Sequence, residues 1–156
     1  MASMVSAVLD RAGSSARTDP RRSQRVAFVA WGSVPGRSEE IARALGGRAR
    51  CFFPPRTSRP PAAVRYVLSA LATVAWLAKE RPNAVIVTNP PVFAGLVAYI
   101  CSRVLGAPLV LDSHPGGFGV QGDRISARLQ PMHRWLARRA EAVLVTDETW
   151  RSKVES

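Results

Sequence analysis

Cysteine is scarce. Cys51 and Cys101 are the only two, each stands alone in an apolar context, and neither has the paired spacing of a zinc site or a redox motif. Both are expected to be reduced, buried thiols of a cytoplasmic protein, and no metal or cofactor is expected. Lysine is nearly missing too, with only Lys79 and Lys153. The excess of 22 basic over 11 acidic residues, a formal charge of +11, therefore rests on arginine. Those arginines are spread along the chain rather than massed in runs, which argues against a nucleic-acid partner. Phosphates and anionic headgroups are attracted by the same basic surfaces, so charge alone selects no ligand.

Long hydrophobic runs are also lacking. The longest charge-free stretch, Asn83–Ser102, is broken by Asn89-Pro90-Pro91 into two pieces, each short of the ~20 residues that a membrane span needs. Tyr66–Ala78 is likewise charge-free and apolar, and likewise too short. Met1–Leu9 has no basic region and too short an apolar core to be expected to act as a secretory signal. The turn Trp31-Gly32-Ser33-Val34-Pro35-Gly36 carries neither the G-x-G-x-x-G of a dinucleotide fold nor the G-x-x-x-x-G-K-[ST] of a phosphate loop. Self-sufficient nicotinamide or ATP binding is disfavoured.

What remains is one domain's worth of chain: 156 residues, 47% of them hydrophobic. Residues 1–24 are small, polar and basic without apolar periodicity, and read as a disordered tail. From residue 25 to residue 156, short β-branched runs alternate with helical patterns. Arg25–Ala30 and Arg48–Phe53 read as strands on either side of a helix over Ser38–Leu45, which Gly46-Gly47 ends. Pro54–Pro61 is a loop. Ala62–Lys79 is a long helix on which Val64, Val67, Leu68, Leu71, Val74, Ala75 and Ala78 recur at helical spacing, a stripe expected to pack on the sheet.

Ala84–Thr88 is apolar without alternation, as in a parallel strand buried on both faces. Pro91 opens a helix over Val92–Leu105, and Gly106 and Pro108 end it. Leu109–Asp112 is the next strand, followed by the loop Ser113–Gly119. Arg124–Arg139 is a basic amphipathic helix in which Pro131 predicts a kink or restart, and Ala142–Val145 is a fifth strand. The alternation defines an α/β fold, a Rossmann-like three-layer domain with a parallel sheet of about five strands.

In such sheets ligands bind beyond the carboxyl ends of the strands, which singles out Asn89 and His114. His114 directly follows an apolar strand and precedes Pro115-Gly116-Gly117; its imidazole can exchange a hydrogen bond or a proton with a bound hydroxyl or phosphate near neutral pH. A structural role is as well supported for a lone histidine. Asp112 either orients that loop or acts as a base. Gly32 allows a ligand close to the backbone, or simply turns the chain. His133 is expected to face solvent or lipid on its basic helix. Asp147 and Glu148 either begin a last helix, where their charge suits the dipole, or reach the cleft.

The segment VIVTNPPVFAGLVAYICSRVLGAPLVLDSHPGGFG, followed by a basic helix and then AEAVLVTDET, resembles the N-terminal, acceptor-side domain of GT-B glycosyltransferases, chiefly family 4. The resemblance runs from about Arg25 to the end. It implies sugar transfer from a nucleotide-sugar donor to an acceptor, often lipid-linked, in a cleft between two Rossmann-like domains. By that resemblance Gly32 and Ser33 reach toward the donor phosphates, His114 faces the reacting sugar as the catalytic residue, and Asn89, Asp112, Gly116, Gly117 and Glu148 contribute to substrate binding. No glutamate pair at the family's E-x7-E spacing occurs. The donor is therefore expected to bind on a missing or separate C-terminal domain, and the chain to be inactive alone.

Two other readings compete. LVLDSHPGGFGVQGD is similar to the oxyanion loop of some α/β-hydrolase esterases, with proline for the first glycine, but no G-x-S-x-G nucleophile elbow is present. The other is a non-catalytic membrane-docking or acceptor-presenting subunit at the inner face of the membrane. It would use Tyr66–Ala78, or Arg128, Arg134, Arg138 and Arg139, against anionic lipid while a partner supplies catalysis.

Overall fold

A computed structural model describes residues 25–31, 36–52, 61–89, 91–113 and 124–145. Nine elements follow one another among them: β1 (Val26–Ala30), α1 (Arg37–Ala44), β2 (Arg48–Cys51), α2 (Ala62–Glu80), β3 (Ala84–Asn89), α3 (Val92–Leu105), β4 (Leu109–Ser113), α4 (Arg124–Ala137) and β5 (Ala142–Val145). The strands form one sheet in the order β2-β1-β3-β4-β5, and all four pairings are parallel. This is the Rossmann-like α/β architecture that the alternation of runs predicts. The expected disordered tail lies outside the described residues.

The central strands β1, β3 and β4 are buried along their whole length, which explains their unbroken apolar runs. Successive side chains point to opposite faces. Ala27, Val29, Val85, Val87, Leu109 and Leu111 belong to the core beneath α2, α3 and α4. Phe28, Ile86 and Val110 belong to the other, where α1 supplies Ala42 and Leu45. β2 is an edge strand with exposed side chains, so Cys51 is exposed, against expectation, while Cys101 is buried in α3.

Glycine is required at two helix ends. Gly106 ends α3 in the left-handed region at φ 65°. A Cβ on Gly47 would collide with the carbonyl of Val26, so only glycine lets the α1–β2 turn lie this close to β1. Pro131 lies inside α4, and the helix runs through it from Arg124 to Ala137 rather than restarting.

α2 faces the other way round from its apolar periodicity. Its buried residues are Ser69, Thr73, Trp76 and Leu77, whereas Val64, Val67, Leu68, Leu71 and Val74 are exposed. At about 100° per residue the two sets lie on opposite sides of the helix. Hydrogen bonds fix the inner side. Ser69 Oγ donates to the Phe52 carbonyl at 2.7 Å, and Trp31 Nε1 donates to Thr73 Oγ1 at 2.9 Å. Trp76 adds a tilted contact with Phe52, ring centres 5.6 Å apart.

Candidate functional site

In a 2-1-3-4-5 sheet the strand order reverses between β1 and β3, and the crevice beyond their carboxyl ends is where ligands of such folds bind. The register puts Asn89 of β3 opposite Ser113 of β4, and Thr88 opposite Asp112. On the α2–α4 face the strand ends therefore carry a polar row of Trp31, Asn89 and Ser113. The opposite face carries Thr88 and Asp112.

Both ends of the row are fastened to helices. Trp31 holds Thr73 of α2, whose hydroxyl in turn donates to the Ser69 carbonyl at 2.7 Å. Ser113 Oγ makes a long contact of 3.4 Å with His133 Nε2 of α4. Between them sits Asn89, fully buried, and among the described residues neither its carbonyl oxygen nor its amide nitrogen has a hydrogen-bond partner. An unbonded buried amide costs free energy that a folded chain ordinarily avoids. Here it lies at the switch point, directly before the chain enters α3. Thr88 Oγ1, also buried, likewise has no partner among the described residues.

His133 corrects the expectation of a solvent- or lipid-facing residue: it is 3% exposed. Burial, and secondarily the charge of Arg134, holds its pKa below the ordinary imidazole value, so it is neutral at pH 7. Ser113 is as deeply buried as its partner. The pair therefore fastens α4 to the end of β4 instead of presenting a nucleophile. Sequence reasoning gave no role to Ser113, Trp31 or Thr73, and put His133 on the wrong side of its helix. For His133 a signal existed, because it falls in phase with Leu129, Met132 and Leu136 on the inner side of α4, where Leu136 is fully buried.

Of the residues singled out by sequence, Asn89 and Asp112 are both buried at the strand ends, on opposite faces of the sheet. Gly32, Ser33, His114, Gly116, Gly117 and Glu148 lie outside the described residues. Arg128, Arg134, Arg138 and Arg139 are exposed on and just beyond α4. Among the described residues no three His, Cys, Asp or Glu side chains come together as a metal site would require.

A parallel five-stranded sheet flanked by helices, with a buried polar row at its strand ends, defines a Rossmann-like α/β domain. The glycosyl transferase 4-like domain model matches residues 10–156, nearly the whole chain, and the protein belongs to that family. It is thus a glycosyltransferase-type domain. A comparison with curated proteins finds no match.

Proposed function

We propose that this domain forms the acceptor side of a sugar-transfer cleft of the GT-B kind. A nucleotide-sugar donor is held by a second Rossmann-like domain, and the acceptor, of lipid-linked type, enters over the carboxyl ends of β1, β3 and β4. The observation that carries this reading is Asn89: a buried carboxamide at the switch point, its donor and acceptor both unengaged by the described residues, can hydrogen-bond a sugar hydroxyl or a phosphate oxygen. Family membership supplies the reaction class. His114 immediately follows Ser113, whose side chain is tied to α4, and that fastening supports a role for the histidine at the reacting sugar. Gly32 and Ser33, just after Trp31, are assigned to the donor phosphates, and Gly116, Gly117 and Glu148 to the rim.

The test is binding to the full chain, followed by saturation-transfer NMR. A short-chain polyprenyl-phosphate sugar is expected to bind, and Asn89→Leu to abolish that binding while the circular dichroism spectrum is unchanged. A panel of nucleotide sugars is expected not to bind without a second domain. Tight nucleotide-sugar binding by this chain alone would overturn the division of labour. Equal acceptor binding by parent and Asn89→Leu would remove Asn89 from the site.

A further inference from the structure

The apolar stripe of α2 stands on the outside of the domain, with Leu71 63% exposed at its middle. It continues onto the neighbouring helix, since α3 packs beside α2 and exposes Phe93, Ile100 and Val104, the last to 81%. Tyr66 of α2 and Phe93 of α3 meet edge to face, ring centres 5.6 Å apart, which joins the two stripes into one surface. A contiguous apolar face of this kind marks an interaction surface rather than ordinary solvent-exposed chain.

The surrounding charge has one sign. Neither α3 nor α4 contains an acidic residue, and the single one in α2, Glu80 at its end, is paired with Arg48 at 3.2 Å. Lys79, Arg103, Arg134, Arg138 and Arg139 are all exposed around the surface or on the adjoining α4 end. Trp135 of α4 packs edge-on against Tyr99 of α3 at 5.1 Å and lies under the Arg139 guanidinium at 4.1 Å. At the other border, a groove of about 500 Å³ between β2 and α2 sets Arg50 and Lys79 beside the apolar side chains of Leu68, Ala72 and Ala75.

We propose that the outer surface of α2 and α3 docks in plane on a bilayer containing anionic phospholipid. The valines and leucines enter the acyl boundary, and the arginines and Trp135 lie among the headgroups. By length and composition α2 could cross a membrane, but its opposite side is bonded to Trp31 and to the Phe52 carbonyl. A span would break those bonds and leave their polar groups in hydrocarbon. A second copy of the chain is a poorer occupant, because face-to-face pairing sets two rims of cations against each other, and the one acidic residue of these helices, Glu80, is already paired with Arg48. The docking surface stands apart from the sugar-transfer site and does not depend on it.

The experiment is cosedimentation of the full chain with phosphatidylcholine vesicles, with and without phosphatidylglycerol, at low and high salt. Parent protein is expected to pellet with the phosphatidylglycerol vesicles and to be partly released by salt. Leu68→Gln and Leu71→Gln are each expected to weaken binding about tenfold, the loss of one buried leucine. Both positions are exposed, so thermal unfolding should be unchanged. Arg138→Gln/Arg139→Gln is expected to reduce the preference for anionic lipid. Equal pelleting of parent and leucine variants, or no pelleting at low salt, would overturn the proposal. A concentration-dependent dimer that Leu71→Gln dissociates, without vesicle binding, would assign the surface to a second copy instead.

Discussion

Asn89 and His133 lie on the same face of the sheet and obey opposite logic. Asn89 is buried with two hydrogen-bonding groups that no described residue engages, so an apolar residue of similar size relieves a penalty of roughly 1–3 kcal/mol. Asn89→Leu should therefore leave the urea midpoint unchanged or raise it, and a fall of more than about 1 kcal/mol would show that the amide is bonded after all. His133 acts through its proton. Its folded pKa is depressed below the ordinary 6.5, so in the window beneath 6.5 the unfolded chain binds a proton that the folded chain refuses. Stability is intact above that window and is lost as pH falls through it, by at most about 1.4 kcal/mol per pH unit for one group. Urea midpoints of parent and His133→Gln, compared from neutral to mildly acidic pH, should diverge in slope. Parallel profiles would show that His133 takes no part in acid sensitivity.

At the scale of elements, α3 and β5 were legible to the residue: Pro91 and Gly106 punctuate the one, and a short apolar run after Glu141 defines the other. The orientation of α2 was not legible. Periodicity reports that a helix has two unlike sides, and the rule that the apolar side faces the core fails when an outside surface is itself apolar. The inner side is chosen by Trp76, Leu77 and two hydroxyls whose partners, Trp31 and the Phe52 carbonyl, are far away in sequence. Thr73→Val, which strands the Trp31 indole N–H, should cost about 1–3 kcal/mol. Leu71→Gln should change stability by no more than about 0.5 kcal/mol. Chemical denaturation of the two variants decides between the faces, and the reverse order would put the leucine stripe in the core.

For the whole molecule, topology did what local sequence could not. Neighbouring strands were predictable as strands, but the pairing of Asn89 with Ser113, and the separation of Asp112 onto the other face, come only from the register. The two thiols report on the assembled domain from different depths. Cys51 on the edge strand should react with a thiol reagent at once. Burial both shields the Cys101 thiol and pushes its pKa up, so its labelling should track opening of the core and accelerate with urea along the unfolding transition. Equal labelling rates without denaturant would mean that the α3 core opens on the timescale of the edge.

The indole of Trp31, which directly follows β1, hangs from Thr73 of α2. The end of β1 and the outward-facing helix are thus joined by this hydrogen bond and by the tilted contact of Trp31 with Tyr66 of α2, ring centres 5.9 Å apart. A load applied to α2 from outside should therefore be felt at the carboxyl end of β1, through the Trp31 side chain.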